Sequence, residues 1–205
     1  MYTLIGSLKT RSFRVLWCLE ELQVEYQHIA AMPHSDEAKQ RNPSGKVPAL
    51  LVDDDVILDS VAICQFLADK HGKLTHKAGT IERGKQDSWT QFALDDVESP
   101  LWTHAKHSFF LPKELAVSDI AKSTKYEFDR AMKVLETRLG EQQFVTGDTF
   151  TVPDIILTHC ANWAQNIPKW DFPKGPVLDY IERNRQRPAY LKAMELRQAE
   201  QGEPH

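Results

Sequence analysis

The hydrophobic rhythm of this 205-residue chain changes once, near residues 73–80, and that change limits the fold more than any other feature. Before it, strand and helix patterns alternate. Tyr2 to Ile5 is short and strand-like, and Phe13, Leu16, Trp17, Leu19 and Leu22 then recur at helical spacing, with Ser12 placed to cap that helix. Val24 to Ile29 alternates as a second strand, so strand, helix and strand make a βαβ unit with parallel pairing. After a connecting region, Pro48–Val52 and Val56–Leu58 flank Asp53, Asp54 and Asp55. Turn chemistry explains these three aspartates better than metal binding, so the segment reads as a hairpin. A helix follows, capped by Ser60, carrying Val61, Ile63, Cys64, Phe66 and Leu67 and ending at Gly72.

Beyond His76 only helical spacing remains. One helix runs from Ile81 to about Lys106, with Pro100 expected to kink or break it. A second covers Ser118–Leu139, with Ile120, Tyr126, Phe128, Met132, Val134, Leu135 and Leu139 facing inward. Others start at Val152, cover Val177–Arg185, and follow Pro188, while Gln198–His205 is expected to fray. Mixed structure giving way to helices alone predicts two domains: residues 1–76, a linker at 77–83, and an all-helical domain at 84–205.

A hydrophobic fraction of 41% with 26% charged residues suits a packed core under a solvated surface, and a net charge of −4 offers no general attraction for nucleic acid or anionic membrane. No apolar run is long enough to cross a bilayer. The amino terminus lacks a basic region, a long apolar stretch and a small-residue cleavage site, which points to a cytoplasmic location. The three cysteines, Cys18, Cys64 and Cys160, are widely spaced among apolar neighbours and read as buried free thiols; no zinc pattern is present and no metal is expected.

The run Asn42-Pro43-Ser44-Gly45-Lys46-Val47-Pro48-Ala49-Leu50 is followed by Asp59-Ser60-Val61-Ala62-Ile63. Gly45 and Pro48 constrain the loop, and a cis bond before Pro48 would turn the Val47 backbone outward beside the sheet, where a peptide ligand could pair with it as an added strand. Asp59 and Ser60 fall at a helix start, where unpaired amides favour a carboxylate.

This pairing of motifs resembles the glutathione site of the glutathione transferase superfamily. The resemblance extends to Ser12–Leu22, similar to the first helix of bacterial and fungal members, and to Gly147–Ile155, similar to the family's capping box, in which Asp154 answers a cap at Thr151. It implies a thioredoxin-like α/β amino-terminal domain followed by an all-α carboxy-terminal domain. It further implies that Val47 and Pro48 bind the cysteinyl portion of glutathione, that Asp59 and Ser60 grip the γ-glutamyl portion, and that Lys46 and His34 approach the glycyl carboxylate. Members more often have glutamate before the serine, and Asp59 is shorter by one methylene.

Attack by glutathione requires its thiol to ionise, which a hydroxyl or amide donor promotes. The family places that donor just after the first strand. Here Lys9 stands where some classes have a catalytic serine, with Thr10 beside it and Ser12 at the helix start, so the site is of serine/threonine type rather than tyrosine or cysteine type. Thr10 is the preferred donor, Ser12 either caps the helix or assists, and Lys9 either stabilises the thiolate or faces solvent. Leu8, Trp102, His107, Phe109 and Phe110 are candidates for an apolar electrophile wall, each with an ordinary packing or surface role as the alternative. The expected activity is a glutathione S-transferase, with glutathione as co-substrate, a small hydrophobic electrophile as partner, and glutathione-dependent peroxide reduction as a second reaction. The rival is a glutathione-binding regulatory protein of the same fold with little catalysis. The resemblance also implies a homodimer.

Overall fold

The computed structural model describes residues 1–172 and 174–202, which divide into two units. The first is Met1–Thr75 together with the chain from Arg185 onward, and the second is His76–Asn184.

In the first unit the order is β1 (Tyr2–Ile5), α1 (Ser12–Leu22), β2 (Tyr26–Ile29), α2 (Asp36–Arg41), β3 (Ala49–Val52), β4 (Asp55–Leu58) and α3 (Ser60–His71). The four strands form one sheet in the order β2-β1-β3-β4. As expected of a βαβ unit, β1 and β2 pair in parallel, with Leu4 opposite His28. β3 runs antiparallel to β1, placing Ala49 opposite Ile5, and β3 and β4 form the hairpin. Asp53 takes a positive φ of 54° in its turn, a conformation that aspartate tolerates. β1 is central, and its Leu4 and Ile5 are fully buried.

Helix α1 packs on β1 and α3, and Phe13, Leu16, Trp17, Cys18 and Leu19 are all excluded from solvent. Each large side chain buried there stabilises the fold by about 1.5–3 kcal/mol. α2 was not anticipated from the sequence, because six residues with one buried position, Ala38, carry no readable period. Its local signals are nonetheless complete. Ser35 accepts from the Ala38 amide, Asp36 and Glu37 open the helix, and Lys39 and Arg41 close it.

The second unit contains α4 (Ile81–Phe92), α5 (Ser99–Ala105), α6 (Ile120–Leu139), α7 (Val152–Asn166) and α8 (Pro176–Arg185). Wide π-helical turns at Ala93–Glu98 and Lys106–Phe110 join and extend α4 and α5, so residues 81–110 stay helical through Pro100. Of the kink or break expected at Pro100, the break is absent, and the helix is instead widened into a π-helical turn just before it, near the start of α5, where the ring's clash with the preceding turn is relieved. On α6 the buried stripe is Thr124, Phe128, Ala131, Met132, Leu135 and Leu139. Tyr126 and Val134, expected inside, are 68% and 41% exposed, and Tyr126 lies about half a turn from Phe128. Trp170 and Phe172 pack on Phe128, with ring centroids 5.1 and 5.7 Å away.

The last helix, α9 (Pro188–Gly202), groups with the first unit, whereas the sequence reading put residues 84–205 in the helical domain. α4 also begins within the stretch expected as linker. α9 runs antiparallel along α1. Arg187 meets Glu21 at the end of α1 with N–O distances of 2.6 and 2.8 Å, Tyr190 stacks edgewise on Trp17 and Phe13, and Arg197 lies over the Phe13 ring. The expected fraying at Gln198 is therefore corrected: the helix continues through Gly202, and residues 203–205 lie outside the described residues.

Candidate functional site

The site is built where β1 ends. Gly6 has φ 136°, a backbone that side chains rarely adopt, and it is crowded on both sides. A Cβ at this position would lie 2.3 Å from Ser12 Oγ and 2.8 Å from Val47 Cβ. Only glycine lets the start of α1 and the Val47 loop approach the end of β1 this closely. The parallel pairing continues past the strand, since the Gly6 and Ser7 amides donate to the carbonyls of Ile29 and Ala31.

The next five residues wind into α1 on their own side chains. Thr10 Oγ1 donates to the Ser7 carbonyl at 2.7 Å and accepts from the Ser12 amide at 3.2 Å. Thr10 Oγ1 and Ser12 Oγ lie 3.1 Å apart, and with the Thr10 proton on the Ser7 carbonyl, Ser12 is the donor. Ser12 is not the helix cap expected from the sequence. The capping position is Arg11, without a side-chain cap bond, and Ser12 is the first helical residue with its hydroxyl wholly buried against Thr10 and Gly6. Lys9 is exposed, Leu8 is buried, and the Lys9 amide donates to Ser7 Oγ. Outward from this loop, Ser7 Oγ and the Leu8 amide both donate to the carboxylate of Glu200 on α9.

The second segment is organised by Asn42, to which its sequence context alone assigns no role. Its buried side chain donates to the Lys46 carbonyl at 2.9 Å and accepts from the Ser44 amide and hydroxyl, while its carbonyl accepts from Gly45. Gly45 has φ 67°, and its carbonyl accepts from the His34 amide at 2.7 Å. A Cβ on Gly45 would lie 2.7 Å from His34 Nδ1, so glycine again permits the approach. His34 is thereby held beside Gly45, the residue before Lys46. The Val47–Pro48 bond is cis, and among the described residues the Val47 amide and carbonyl have no hydrogen-bond partner.

The third segment opens α3. Asp59, at φ 73°, is the capping residue, and its Oδ1 accepts from the amides of Val61 at 2.8 Å and Ala62 at 3.2 Å. This corrects the expectation that Ser60 caps the helix. Ser60 is the first helical residue, buried, with its hydroxyl accepting from Arg14 Nη1 at 3.4 Å. Arg14 is itself buried, so one guanidinium ties the start of α3 to α1. Neither Gly6 nor Arg14 was assigned a role from sequence. A glycine immediately after the first strand was the available signal for Gly6, whereas a lone arginine in an apolar helix carries none.

The candidate electrophile wall divides between the units: Leu8 belongs to the first, and the other four residues belong to the second. There, Trp102 and Phe110 have centroids 5.5 Å apart, with Phe109 on Phe110 at 6.5 Å. Phe109 and Phe110 are 63% and 67% exposed. His107 Nδ1 accepts from the Val117 amide, which leaves the proton of the neutral ring on Nε2.

Among the perturbed titratable groups outside these segments are Cys18 and Asp154. The contact with Cys64 and burial push the Cys18 thiol up, away from nucleophilic use, and all three cysteines are buried and outside any disulfide, as read from the sequence. Burial pushes the Asp154 carboxyl up, against hydrogen bonds from the Val145 and Thr151 amides and the Tyr180 and Thr151 hydroxyls that pull it down. Those bonds complete the capping box of α7, as expected. Among the described residues no group of three His, Cys, Asp or Glu side chains could hold a metal ion, and no helix is long and apolar enough to cross a membrane.

The sequence matches the family models for the glutathione S-transferase N-terminal domain over residues 10–70 and the glutathione S-transferase C-terminal domain over residues 122–190. It is 28% identical to glutathione S-transferase GstB of Escherichia coli K12, across 95% of this chain and 98% of that protein. Its fold superposes on the glutathione transferase URE2P8 of Phanerochaete chrysosporium with a TM-score of 0.87 at 22% identity, covering 99% and 97% of the two chains. URE2P6 of the same organism, solved in complex with oxidized glutathione, gives 0.84 at 25% identity, covering 97% and 96%. With paired amino- and carboxy-terminal matches spanning well over half of its length, and a four-stranded mixed sheet followed by helices, this chain belongs to the glutathione S-transferase family.

Proposed function

We propose that this protein is a glutathione S-transferase that adds the glutathione sulfur to small hydrophobic electrophiles and reduces peroxides with the same thiol. The observation that carries this reading is the approach enforced at Gly6, which sets the hydroxyl-rich first loop against Val47, whose backbone has no partner among the described residues. A thiol tripeptide needs both: a strand edge to pair with, and donors beside it for the sulfur.

In this reading the cysteinyl backbone of glutathione pairs with Val47 ahead of Pro48, and the γ-glutamyl end meets Asp59 and Ser60 at the start of α3. Asp59 Oδ1 caps α3, so the ammonium takes the other carboxylate oxygen while the substrate carboxylate faces the amino-terminal dipole of the helix. His34, held beside Gly45, and Lys46, the residue after it, take the glycyl carboxylate. Thr10 is assigned to the sulfur. Its oxygen accepts from the Ser12 amide and hydroxyl, which polarises its own O–H and makes it a stronger donor once it turns from the Ser7 carbonyl. Lys9 adds positive charge at the loop surface. The thiol proton leaves to solvent, the sulfur lone pair forms the S–C bond, and the leaving group departs with its electrons. The exposed Phe109 and Phe110 with the half-buried Trp102 and His107 are the surface we assign to the electrophile. The protein works as a homodimer in this reading.

The test is ultraviolet absorbance of bound glutathione thiolate against pH, with turnover of an aryl halide electrophile. The intact chain is expected to lower the thiol pKa of bound glutathione by 2 units or so, and Thr10→Ala to return it most of the way. An unchanged titration in Thr10→Ala removes Thr10 as the donor. Failure to bind reduced glutathione at millimolar concentration overturns the function.

A further inference from the structure

The far end of α9 carries a contact that neither helix packing nor the proposed chemistry requires. Both carboxylate oxygens of Glu200 lie on the Leu8 amide, at 3.1 and 3.0 Å, and Oε2 also accepts from Ser7 Oγ at 3.1 Å. His28 Nε2, which sits 2.9 Å from the Gly6 carbonyl, is 3.8 Å from Glu200 Oε1. The Glu200 side chain is only 9% exposed, although it stands in the last turn of α9.

Three facts make this more than a surface tether. A carboxylate in the last turn of a helix faces the negative end of the macrodipole, so α9 by itself disfavours Glu200 there. The donors that hold it belong to the first loop, where Thr10 and Ser12 turn their hydroxyls on the loop itself. Ser7 and Leu8, in contrast, direct a hydroxyl and an amide at one external anion, and hydrogen bonds to an ionised acceptor are roughly twice as strong as neutral ones.

We infer that the Ser7 hydroxyl and Leu8 amide form an anion cradle on the first loop, and that Glu200 fills it in cis as a latch competing with anionic groups brought to the loop by a ligand. The cradle stands on the geometry alone. The identity of its competitor, the ionised sulfur end of glutathione, rests on the proposed function. Release of Glu200 frees the last turn of α9 while Arg187, Tyr190 and Arg197 keep the rest of the helix on α1.

The full-length protein is compared with Glu200→Ala and Ser7→Ala. Hydrogen exchange needs no ligand: the Leu8 amide is expected to be protected in the parent and to exchange at least ~10-fold faster in Glu200→Ala. Calorimetry then uses glutathione sulfonate, which carries a fixed anion at the sulfur, and S-methylglutathione, which carries none. Glu200→Ala is expected to bind the sulfonate about 10-fold tighter and S-methylglutathione within about 2-fold of the parent, and Ser7→Ala to weaken the sulfonate selectively. Unchanged Leu8 exchange in Glu200→Ala overturns the cradle. Equal gains for both ligands, or no gain, overturn the competition and leave Glu200 a packing contact. If no protein binds either ligand, the glutathione reading falls, and the exchange result alone decides the cradle.

Discussion

Gly6→Ala is the substitution that most directly tests how the site is assembled. The new methyl carbon would sit 2.3 Å from Ser12 Oγ and 2.8 Å from Val47 Cβ, both well inside contact distance, on a backbone with φ 136°. Both neighbours are held in place, although Val47 is only half-buried. Ser12 is wholly buried at the start of α1, and Val47 is flanked by a buried Pro48 and by the Lys46 carbonyl that Asn42 holds. The backbone conformation costs an L-residue about 1–3 kcal/mol, and overpacking a fixed neighbourhood costs about 1–3 kcal/mol more. Together they predict a loss of ~4 kcal/mol, a large part of the 5–15 kcal/mol typical of a domain. With a urea m-value of ~2 kcal/mol/M, the unfolding midpoint followed by circular dichroism should fall by about 2 M. In the fraction that remains folded, displacement of Val47 should weaken binding of reduced glutathione at least ~10-fold by calorimetry, since the strand edge no longer adjoins the loop. A variant that loses under ~1 kcal/mol and binds glutathione as the parent does would refute the reasoning, because it would show that Gly6 does not hold the two segments together.

The helical unit offers two further tests. Asp154→Asn keeps one acceptor oxygen but turns an NH2 group on the buried Thr151 amide, so the unit should lose about 2 kcal/mol in urea unfolding while turnover per folded molecule stays unchanged; a loss of turnover without a loss of stability would refute a purely structural role for Asp154. Burial pushes the His104 imidazole down from its ordinary 6.5, with Nδ1 buried and unpaired among the described residues and the ring edge-on to Trp170 at 5.2 Å. A base depressed in the fold contributes stability that is present above about pH 6.5 and is lost as pH falls through its folded value, so chemical unfolding between pH 7 and pH 5 should show a decline that His104→Gln flattens; parallel profiles would refute it.

Much of the fold was legible because its signals are local or periodic. The βαβ opening, the aspartate hairpin and the change to helices follow from alternation and turn chemistry, and the Thr151–Asp154 box lies within four residues of sequence. What escaped was set by packing at a distance. Nothing near Gln198 indicates that its helix should persist, because the groups that hold Glu200 lie more than 190 residues earlier. Pro100 reads as a breaker by its own chemistry, and only the widened turn before it lets the helix continue.

The site divides along the same line. Val47, Pro48, Asp59, Ser60 and Lys46 are proposed from two short motifs and His34 from outside them, and the structure brings His34 beside Gly45 and Asp59 to the start of α3. Helix starts were misread by one position on both α1 and α3. Ser and Asp are both good caps, and sequence preference does not say which of two neighbours turns its side chain back on the helix. The deciding factor was burial: Ser12 and Ser60 are drawn inside by Gly6 and Arg14, so capping of α3 falls to the exposed Asp59, and α1 starts without a side-chain cap. Two serine hydroxyls at helix starts are thus used to join segments rather than to end helices. Asp59 fits that division, since it reaches its own helix amides with one carboxylate oxygen, and in the proposed site the other oxygen is the one that meets the ligand's ammonium.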